Sequence, residues 1–328
     1  MDKIRWGIIG AGNISTKFAK ALCVLEDVEL VAIASRDAQR AKNFAEQFQI
    51  KKVYTSYEEL AKDPEIDVIY IGTPHTEHKA NSALCIMNNK AVLCEKPFTV
   101  NHKDTEYLIS LAREKNVFLM EAMWTKFLPV TYAVKQWLKD EIIGNVRYLN
   151  ISFGYQAEFN MSSRLYDPNL AGGALLDVGV YPITYTIDLM GRLPDSIASS
   201  AYLGKSGVDE VNVIAMRYDN GVMADLSSAV CAHTSNEAVI VGEKGKIVIP
   251  NFWSAEHAEA YNENGEVFAS FHSPFAANGY EYEAAEVNRC LREGKKESDR
   301  LPLTDTLEIM KVMDSLRAEW GLVYPQER

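Results

Sequence analysis

The chain has 328 residues, 47% of them hydrophobic and 24% charged, and 34 lysines and arginines against 45 aspartates and glutamates leave a net charge of −11. A chain near this length buries roughly three quarters of the surface exposed on unfolding and is expected to form about two domains. Its near-average composition excludes collagenous, disordered and membrane-embedded classes. The acidic balance, with no lysine or arginine block to override it, argues against nucleic-acid and anionic-membrane partners.

The five cysteines, Cys23, Cys85, Cys94, Cys231 and Cys290, are scattered and include no C-x-x-C pair. They read as buried thiols of a reducing compartment. No apolar run approaches the roughly 18 residues of a membrane span. The N-terminus enters a strand-like pattern at once, so the expectation is a cytoplasmic chain with no signal peptide.

In chain order, the hydrophobic pattern predicts a strand at Ile4–Ile9, a helix at Ile14–Val24, a strand at Val28–Ala34 and a helix at Ala38–Phe48. Then come a strand at Val68–Ile71, a helix at His75–Met87, a strand at Ala91–Cys94, a helix at His102–Lys115 and a strand at Val117–Met120. Repeated βα units with near-continuously apolar strands predict an α/β fold, a doubly wound parallel sheet covered on both faces, over residues 1–123. The texture then changes. After a helix at Pro129–Lys139, strand patterns run at Val146–Tyr155, Ser196–Leu203, Val211–Tyr218, Val222–Val230, Ala238–Val241 and Lys246–Ile249. Turn residues at Asp219-Asn220-Gly221 and Gly242-Glu243-Lys244-Gly245 predict hairpins, so residues 124–328 read as an α+β domain on a mostly antiparallel sheet. Two helices, near Tyr280–Glu293 and Leu303–Trp320, are free to pack back across the domains.

Chemistry enters where the first strand meets the first helix, at Gly10-Ala11-Gly12-Asn13-Ile14-Ser15. In the G-x-G-x-x-G pattern the first glycine makes the turn, the second lets a pyrophosphate approach the backbone, and a small third residue lets helix and strand close up. Here the third position is Ser15. A plain glycine turn is the alternative, but at the first junction of a βα series the pattern points to dinucleotide binding, with Gly10, Gly12, Asn13 and Ile14 at the phosphates. The end of the second strand reads Ala34-Ser35-Arg36-Asp37, with Arg40 one turn on. Ser35, Arg36 and Arg40 suit a ribose 2′-phosphate better than a hydroxyl, which favours NADP over NAD. The alternative makes both arginines solvated and Asp37 a helix cap.

Two further loops leave the carboxyl ends of strands, where ligands of such sheets bind. Thr73, Pro74, His75 and His78 are expected to border the cofactor. His75 and His78 lie three apart, but no third ligand is evident, so no metal site is expected. Glu95 and Lys96 follow the fifth strand, ahead of Pro97, where Lys96 would face the nicotinamide end.

The segments GAGNIS, TPHTEH, CEKPFTVN, FLMEAMWTKFLP and GGALLDVGVYPI, in that order, resemble those of the Gfo/Idh/MocA oxidoreductase family, and the resemblance runs over essentially the whole chain. Within the family the chain is similar to the dimeric dihydrodiol dehydrogenase and NADP-dependent D-xylose 1-dehydrogenase branch. The resemblance implies a Rossmann domain followed by a large open sheet that serves a homo-oligomer, either dimer or tetramer, and a cis bond before Pro97. It places Lys96 at the family's Glu-Lys-Pro lysine and Asp177 and Tyr181 in its second active-site segment.

Asp177 and Tyr181 are four apart, so a helix starting after Gly172-Gly173 would present both on one face. The expected roles are Tyr181 as acceptor of the hydroxyl proton, Lys96 as stabiliser of the developing oxyanion and depressor of the phenol pKa, and Asp177 as orienter of the substrate. By resemblance, Trp124, Phe153, Trp253 and Phe275 wall the substrate, though each is equally a core aromatic. Arg164 either binds an anionic group or is solvated. The expected activity is NADP-dependent hydride transfer at a secondary alcohol or hemiacetal of a sugar, polyol or cyclic trans-diol. The alternatives are an NAD-preferring sugar or inositol dehydrogenase and a non-catalytic NADP-binding sensor.

Overall fold

The computed structural model describes residues 2–327. The chain divides into two compact units: the first runs through Trp124 and includes Phe275–Met310, and the second comprises Thr125–Pro274 and the segment from Lys311 onward.

The first unit begins with β1 (Ile4–Ile9), α1 (Asn13–Leu22), β2 (Val28–Ala34), α2 (Ala38–Phe48), β3 (Lys52–Tyr54) and α3 (Tyr57–Lys62). It continues through β4 (Val68–Ile71), α4 (His78–Met87), β5 (Ala91–Glu95), α5 (His102–Lys115) and β6 (Leu119–Ala122). All six strands are parallel, in the order β3-β2-β1-β4-β5-β6. The order in which strands are added reverses between β1 and β4, the switch point at which ligands of such sheets bind beyond the carboxyl ends of the strands. Strands buried on both faces explain the unbroken apolar runs Val68–Ile71 and Ala91–Cys94.

Two elements escaped the hydrophobic pattern. β3 is three residues at a sheet edge and α3 is six residues long. The last strand sits two residues later than Val117–Met120 suggests, because β6 takes its register from β5.

The second unit carries α6 (Pro129–Lys139), β7 (Val146–Gly154), α7 (Val180–Met190), β8 (Ser196–Leu203), β9 (Asp209–Arg217) and β10 (Met223–Ala229). β11 (Glu237–Gly242), β12 (Gly245–Pro250), β13 (His257–Asn262) and β14 (Val267–His272) complete its sheet. The order is β14-β13-β12-β11-β7-β10-β9-β8, antiparallel except for the parallel β7–β10 pair. The expected mostly antiparallel sheet is therefore present, longer by β13 and β14.

The helices near the C-terminus are α8 (Tyr280–Arg292) and α9 (Leu303–Trp320). α8 belongs to the first unit, where the Trp6 indole N–H of β1 donates to Asn288 Oδ1 at 3.1 Å.

Two expectations need correction. Pro168–Met190 is long and apolar enough to cross a membrane, but 89% of its most apolar window is buried, the mark of a core segment. The thiols are not uniformly buried: Cys85, Cys94 and Cys290 are, whereas Cys23 is exposed and Cys231 half-buried.

Candidate active site

In the first unit, Gly10 follows β1 at φ +98, a left-handed conformation that disfavours any side chain, and a Cβ there would lie 2.8 Å from the Gly72 carbonyl oxygen. Gly12 is different. It caps α1 in extended conformation, and the nearest atom to a Cβ there is the Gly72 oxygen at 4.0 Å. Gly12 is thus not required by the fold, and open space lies beside a helix start with no side-chain cap. The first N–H groups of α1, beginning at Asn13 and Ile14, are left for an anion. Ser15 is wholly buried, and a Cβ on Gly72 would run into its hydroxyl. The close approach that a third glycine gives is therefore met here by Gly72 facing a serine. A dinucleotide pyrophosphate fits this cradle.

At the end of β2, Ser35 is buried and its hydroxyl accepts from Asp37 N at 3.2 Å. Asp37 caps α2, its Oδ1 accepting from Gln39 N and Arg40 N, both at 3.0 Å. The only acid in this turn is thus engaged by the helix, while Arg36 and Arg40 project into solvent.

The loop after β4 holds Thr73, Pro74 and His75, the last opening a 3₁₀ turn, His75–Glu77. Thr73 Oγ1 accepts from Asn81 Nδ2 at 3.1 Å. His78 is fully buried, with Nδ1 2.9 Å from Pro97 O and Nε2 2.9 Å from Thr73 O. Burial pushes its imidazole below the ordinary value. Its position in the cofactor loop is therefore that of a tie between the Thr73 loop and the Pro97 loop, rather than of a ligand contact.

β5 delivers Glu95 and the half-buried Lys96, and the Lys96–Pro97 bond is cis. The Glu95 carboxylate points inward, accepting from Tyr70 OH at 2.5 Å and Lys96 N at 3.2 Å. Tyr70 stacks on Phe18 of α1 with centroids 3.8 Å apart, which links the glycine turn to the lysine loop through packed rings. Glu121 on β6 holds the far side: it accepts from Phe98 N at 3.2 Å and from Thr306 Oγ1 at 2.9 Å. Burial, reinforced by Glu95 and Glu121, pushes the Glu283 carboxyl well above the carboxylate range. Trp124 and Phe275 lie in this unit too. Trp124 is stacked on Tyr280 at 4.3 Å, and Phe275 meets Tyr282 edge-on.

In the second unit, Asp177 stands on a π turn, Leu175–Gly179, that runs into α7, whose second residue is Tyr181. The first turn is not the α-helix expected from the spacing, yet both side chains reach one side of β7. Phe153 and Tyr155, two apart along that strand's path, meet Tyr181 at 5.5 Å between ring centroids and Asp177 by a 2.5 Å hydrogen bond from the Tyr155 hydroxyl. Arg164 binds the other Asp177 oxygen at 2.6 Å. Arg164 thus pairs with the buried Asp177 carboxylate while 55% of its side chain stays exposed, and both Asp177 oxygens carry a side-chain partner. Burial pushes the Tyr155 phenol up, with the Asp177 charge next. Trp253 stacks on Phe153 with centroids 3.8 Å apart and stays half-buried, while Phe153 and Tyr181 are buried.

The structure therefore gathers Gly10, Gly12, Ser35, Thr73, His75, His78, Glu95 and Lys96 in the first unit and Phe153, Arg164, Asp177, Tyr181 and Trp253 in the second. Tyr155 and Glu121 were missed from the sequence. Tyr155 follows a strand end outside any motif, and Glu121, though within the segment FLMEAMWTKFLP, sits in a buried strand where nothing in the sequence marks its role. Glu286, Cys290 and Asp299 approach within metal-ligating range, but the Arg289 guanidinium fills that space, 2.7 Å from Glu286 and paired with Asp299.

Residues 4–123 match the oxidoreductase family with NAD-binding Rossmann fold, GFO_IDH_MocA, and residues 131–248 match the GFO/IDH/MocA C-terminal domain. The chain is 40% identical to a trans-1,2-dihydrobenzene-1,2-diol dehydrogenase of Xenopus tropicalis, over 98% of this chain and 99% of that one. It is 36% identical to the Homo sapiens protein of the same name, over 99% of each. KijD10, a 3-ketoreductase from Actinomadura kijaniata solved with NADP and TDP-benzene, shares the fold with TM-score 0.86 at 24% identity, over 97% of this chain and 98% of its own. Fold and site define a nicotinamide-dependent oxidoreductase. The chain belongs to the Gfo/Idh/MocA family and is an NAD(P)-dependent dehydrogenase acting on CH–OH groups.

Proposed function

We propose that the chain uses NADP and oxidises a secondary alcohol or hemiacetal of a sugar, polyol or cyclic trans-diol, with the trans-diol favoured by the names of its full-length relatives. The cofactor half of the proposal rests on one observation. Asp37, the acid that would otherwise accept a ribose 2′-hydroxyl, is engaged as the α2 cap, while Arg36 and Arg40 flank it in solvent. Two guanidinium groups beside a buried serine suit a 2′-phosphate.

When bound, the nicotinamide ring supplies the hydride acceptor. The chain's own residues do the rest. Tyr181 takes the substrate hydroxyl proton, and the Lys96 ammonium stabilises charge at the reacting oxygen. Asp177 acts at one remove: it fixes Tyr155 and Arg164, whose polar atoms line the substrate side with the exposed part of the Trp253 ring. An aromatic face of this kind accepts the apolar face of a ring substrate.

The proposal includes self-association. One face of the second unit's sheet leaves Tyr148, Tyr202, Val213 and Met223 exposed on neighbouring strands β7 to β10. Apolar residues grouped this way mark a contact surface, here for a second copy of the chain.

The test is direct titration with NADP and NAD of the wild type and of Arg36→Ala. Arg36→Ala is expected to weaken NADP binding by about tenfold or more while leaving NAD unchanged. Equal loss for both cofactors would remove the 2′-phosphate assignment.

A further inference from the structure

Asp209 plays no part in the chemistry assigned above, yet it reaches the segment that carries Asp177 and Tyr181. It opens β9 and is fully buried. Its Oδ2 accepts from Leu175 N at 2.7 Å and from Asn212 Nδ2 at 2.9 Å. Among the described residues its Oδ1 has no hydrogen-bond partner. Leu175 is the first residue of the π turn, two before Asp177. Just ahead, Gly173 takes φ +120, and a Cβ there would run into Asp209 Oδ1. The chain therefore closes over this carboxyl before entering the turn.

The same network reaches the end of the turn. Asn212 Oδ1 accepts from Ser228 Oγ at 2.8 Å, and that hydroxyl lies 2.8 Å from where a Cβ on Gly179 would stand. Asp209, Asn212 and Ser228 thus brace both ends of Leu175–Gly179 from β9 and β10. On the other side Tyr324 OH donates to Gly172 O at 2.7 Å, and Arg317 stands over the Tyr324 ring at 4.9 Å.

We propose that Asp209 is a positioning residue for the dehydrogenase reaction: as a carboxylate it anchors the Leu175 amide and so sets Asp177 and Tyr181, and protonation at Oδ1 loosens that hold. The proposal rests on the assignment of Asp177 and Tyr181 to the reaction. An unpartnered buried carboxyl oxygen is costly as a static strut, but it is the place a proton occupies in a group that titrates.

The charged and titratable groups facing Asp209 are Arg317 of α9 and the phenol of Tyr324, with Asp314 and Glu327 paired to Arg317 at 2.5 and 2.7 Å. Burial pushes the Tyr324 phenol well above its ordinary value, and the Arg317 ion pairs keep its guanidinium charged against the effect of burial. Neither changes charge near neutrality. Burial pushes Asp209 up to about 7, against the opposing pull of its hydrogen bonds and of Arg317.

The experiment is kcat against pH for the wild type and Asp209→Asn, with cofactor affinity titrated alongside. An amide oxygen still accepts from Leu175 N but cannot gain or lose a proton in this range. The wild type is expected to lose kcat about tenfold between pH 8 and pH 6, as one protonation requires, and Asp209→Asn to lose that limb while cofactor affinity stays within about twofold. A limb that persists unchanged in Asp209→Asn overturns the proposal.

A second readout needs no variant. In the wild type the Leu175 amide resonance should titrate with the same midpoint, and a resonance that stays flat through neutrality overturns the proposal even if Asp209→Asn fails to fold. Normal turnover by Tyr181→Phe would instead remove the site assignment, a failure distinct from a flat Leu175 titration.

Discussion

Replacing Gly10 and Gly12 one at a time by alanine separates what the fold needs from what the cofactor needs. At Gly10 an alanine must adopt φ +98, and its Cβ meets the Gly72 carbonyl oxygen at 2.8 Å and carbon at 3.1 Å. Left-handed backbone costs about 1–2 kcal/mol, and pressing a methyl group into backbone that cannot rotate aside costs about 1–3 kcal/mol. A loss near 3 kcal/mol lowers the melting temperature of a unit this size by about 10 °C. At Gly12 the φ of −98 is ordinary and the nearest atom to the new Cβ is 4.0 Å away, so the fold should lose less than about 1 kcal/mol.

The same methyl, however, stands where a pyrophosphate must approach the start of α1. Losing one charge-assisted hydrogen bond there, about 1.5–3 kcal/mol, weakens cofactor binding by about 10- to 100-fold. Thermal melting without cofactor and a fluorescence titration with NADP read the two effects separately. If Gly12→Ala binds NADP as the wild type does, the phosphate cradle is not at α1. If Gly10→Ala melts normally, the backbone reasoning is wrong.

Other outcomes follow from the same site. Tyr181→Phe should lower kcat by about 10²-fold or more with cofactor affinity near normal, checked by steady-state kinetics and titration; unchanged turnover removes Tyr181 from proton transfer. Arg164→Met leaves the buried Asp177 carboxylate with one side-chain partner fewer, so it should raise the apparent KM and lower the melting temperature, measured on one preparation. Val213→Glu places a charge on the exposed sheet face and should shift sedimentation toward the monomer; an unchanged sedimentation coefficient would put the self-contact elsewhere.

Much of the first unit was legible because parallel strands buried on both faces are apolar almost throughout, and Val68–Ile71 and Ala91–Cys94 declare themselves for that reason. Lys52–Tyr54 does not, since a three-residue edge strand needs no apolar run. In the second unit His257–Asn262 lacks any β-branched residue, and only its pairing with β12 and β14 makes it a strand.

The site divides in the same way. Gly10, Gly12 and Lys96 could be found because they sit in ordered motifs at the ends of predicted strands. The engagement of Asp177 could not, because Tyr155 and Arg164 lie 22 and 13 residues away in sequence and are joined to it only by the folded sheet. The π turn was likewise invisible: a spacing of four implies an α-helix unless something such as the brace from Asp209 widens the first turn.

The central claim is NADP-linked oxidation of a CH–OH group, and one set of cuvettes tests it most directly. Purified protein would be titrated with NADP and with NAD, then given trans-dihydrodiols, aldoses and inositols while the absorbance of reduced cofactor is followed. The account predicts tighter binding of NADP and reduction of NADP on a trans-diol or sugar. Tighter binding of NAD, or NADP bound with no reduction on any of the three classes, would contradict it.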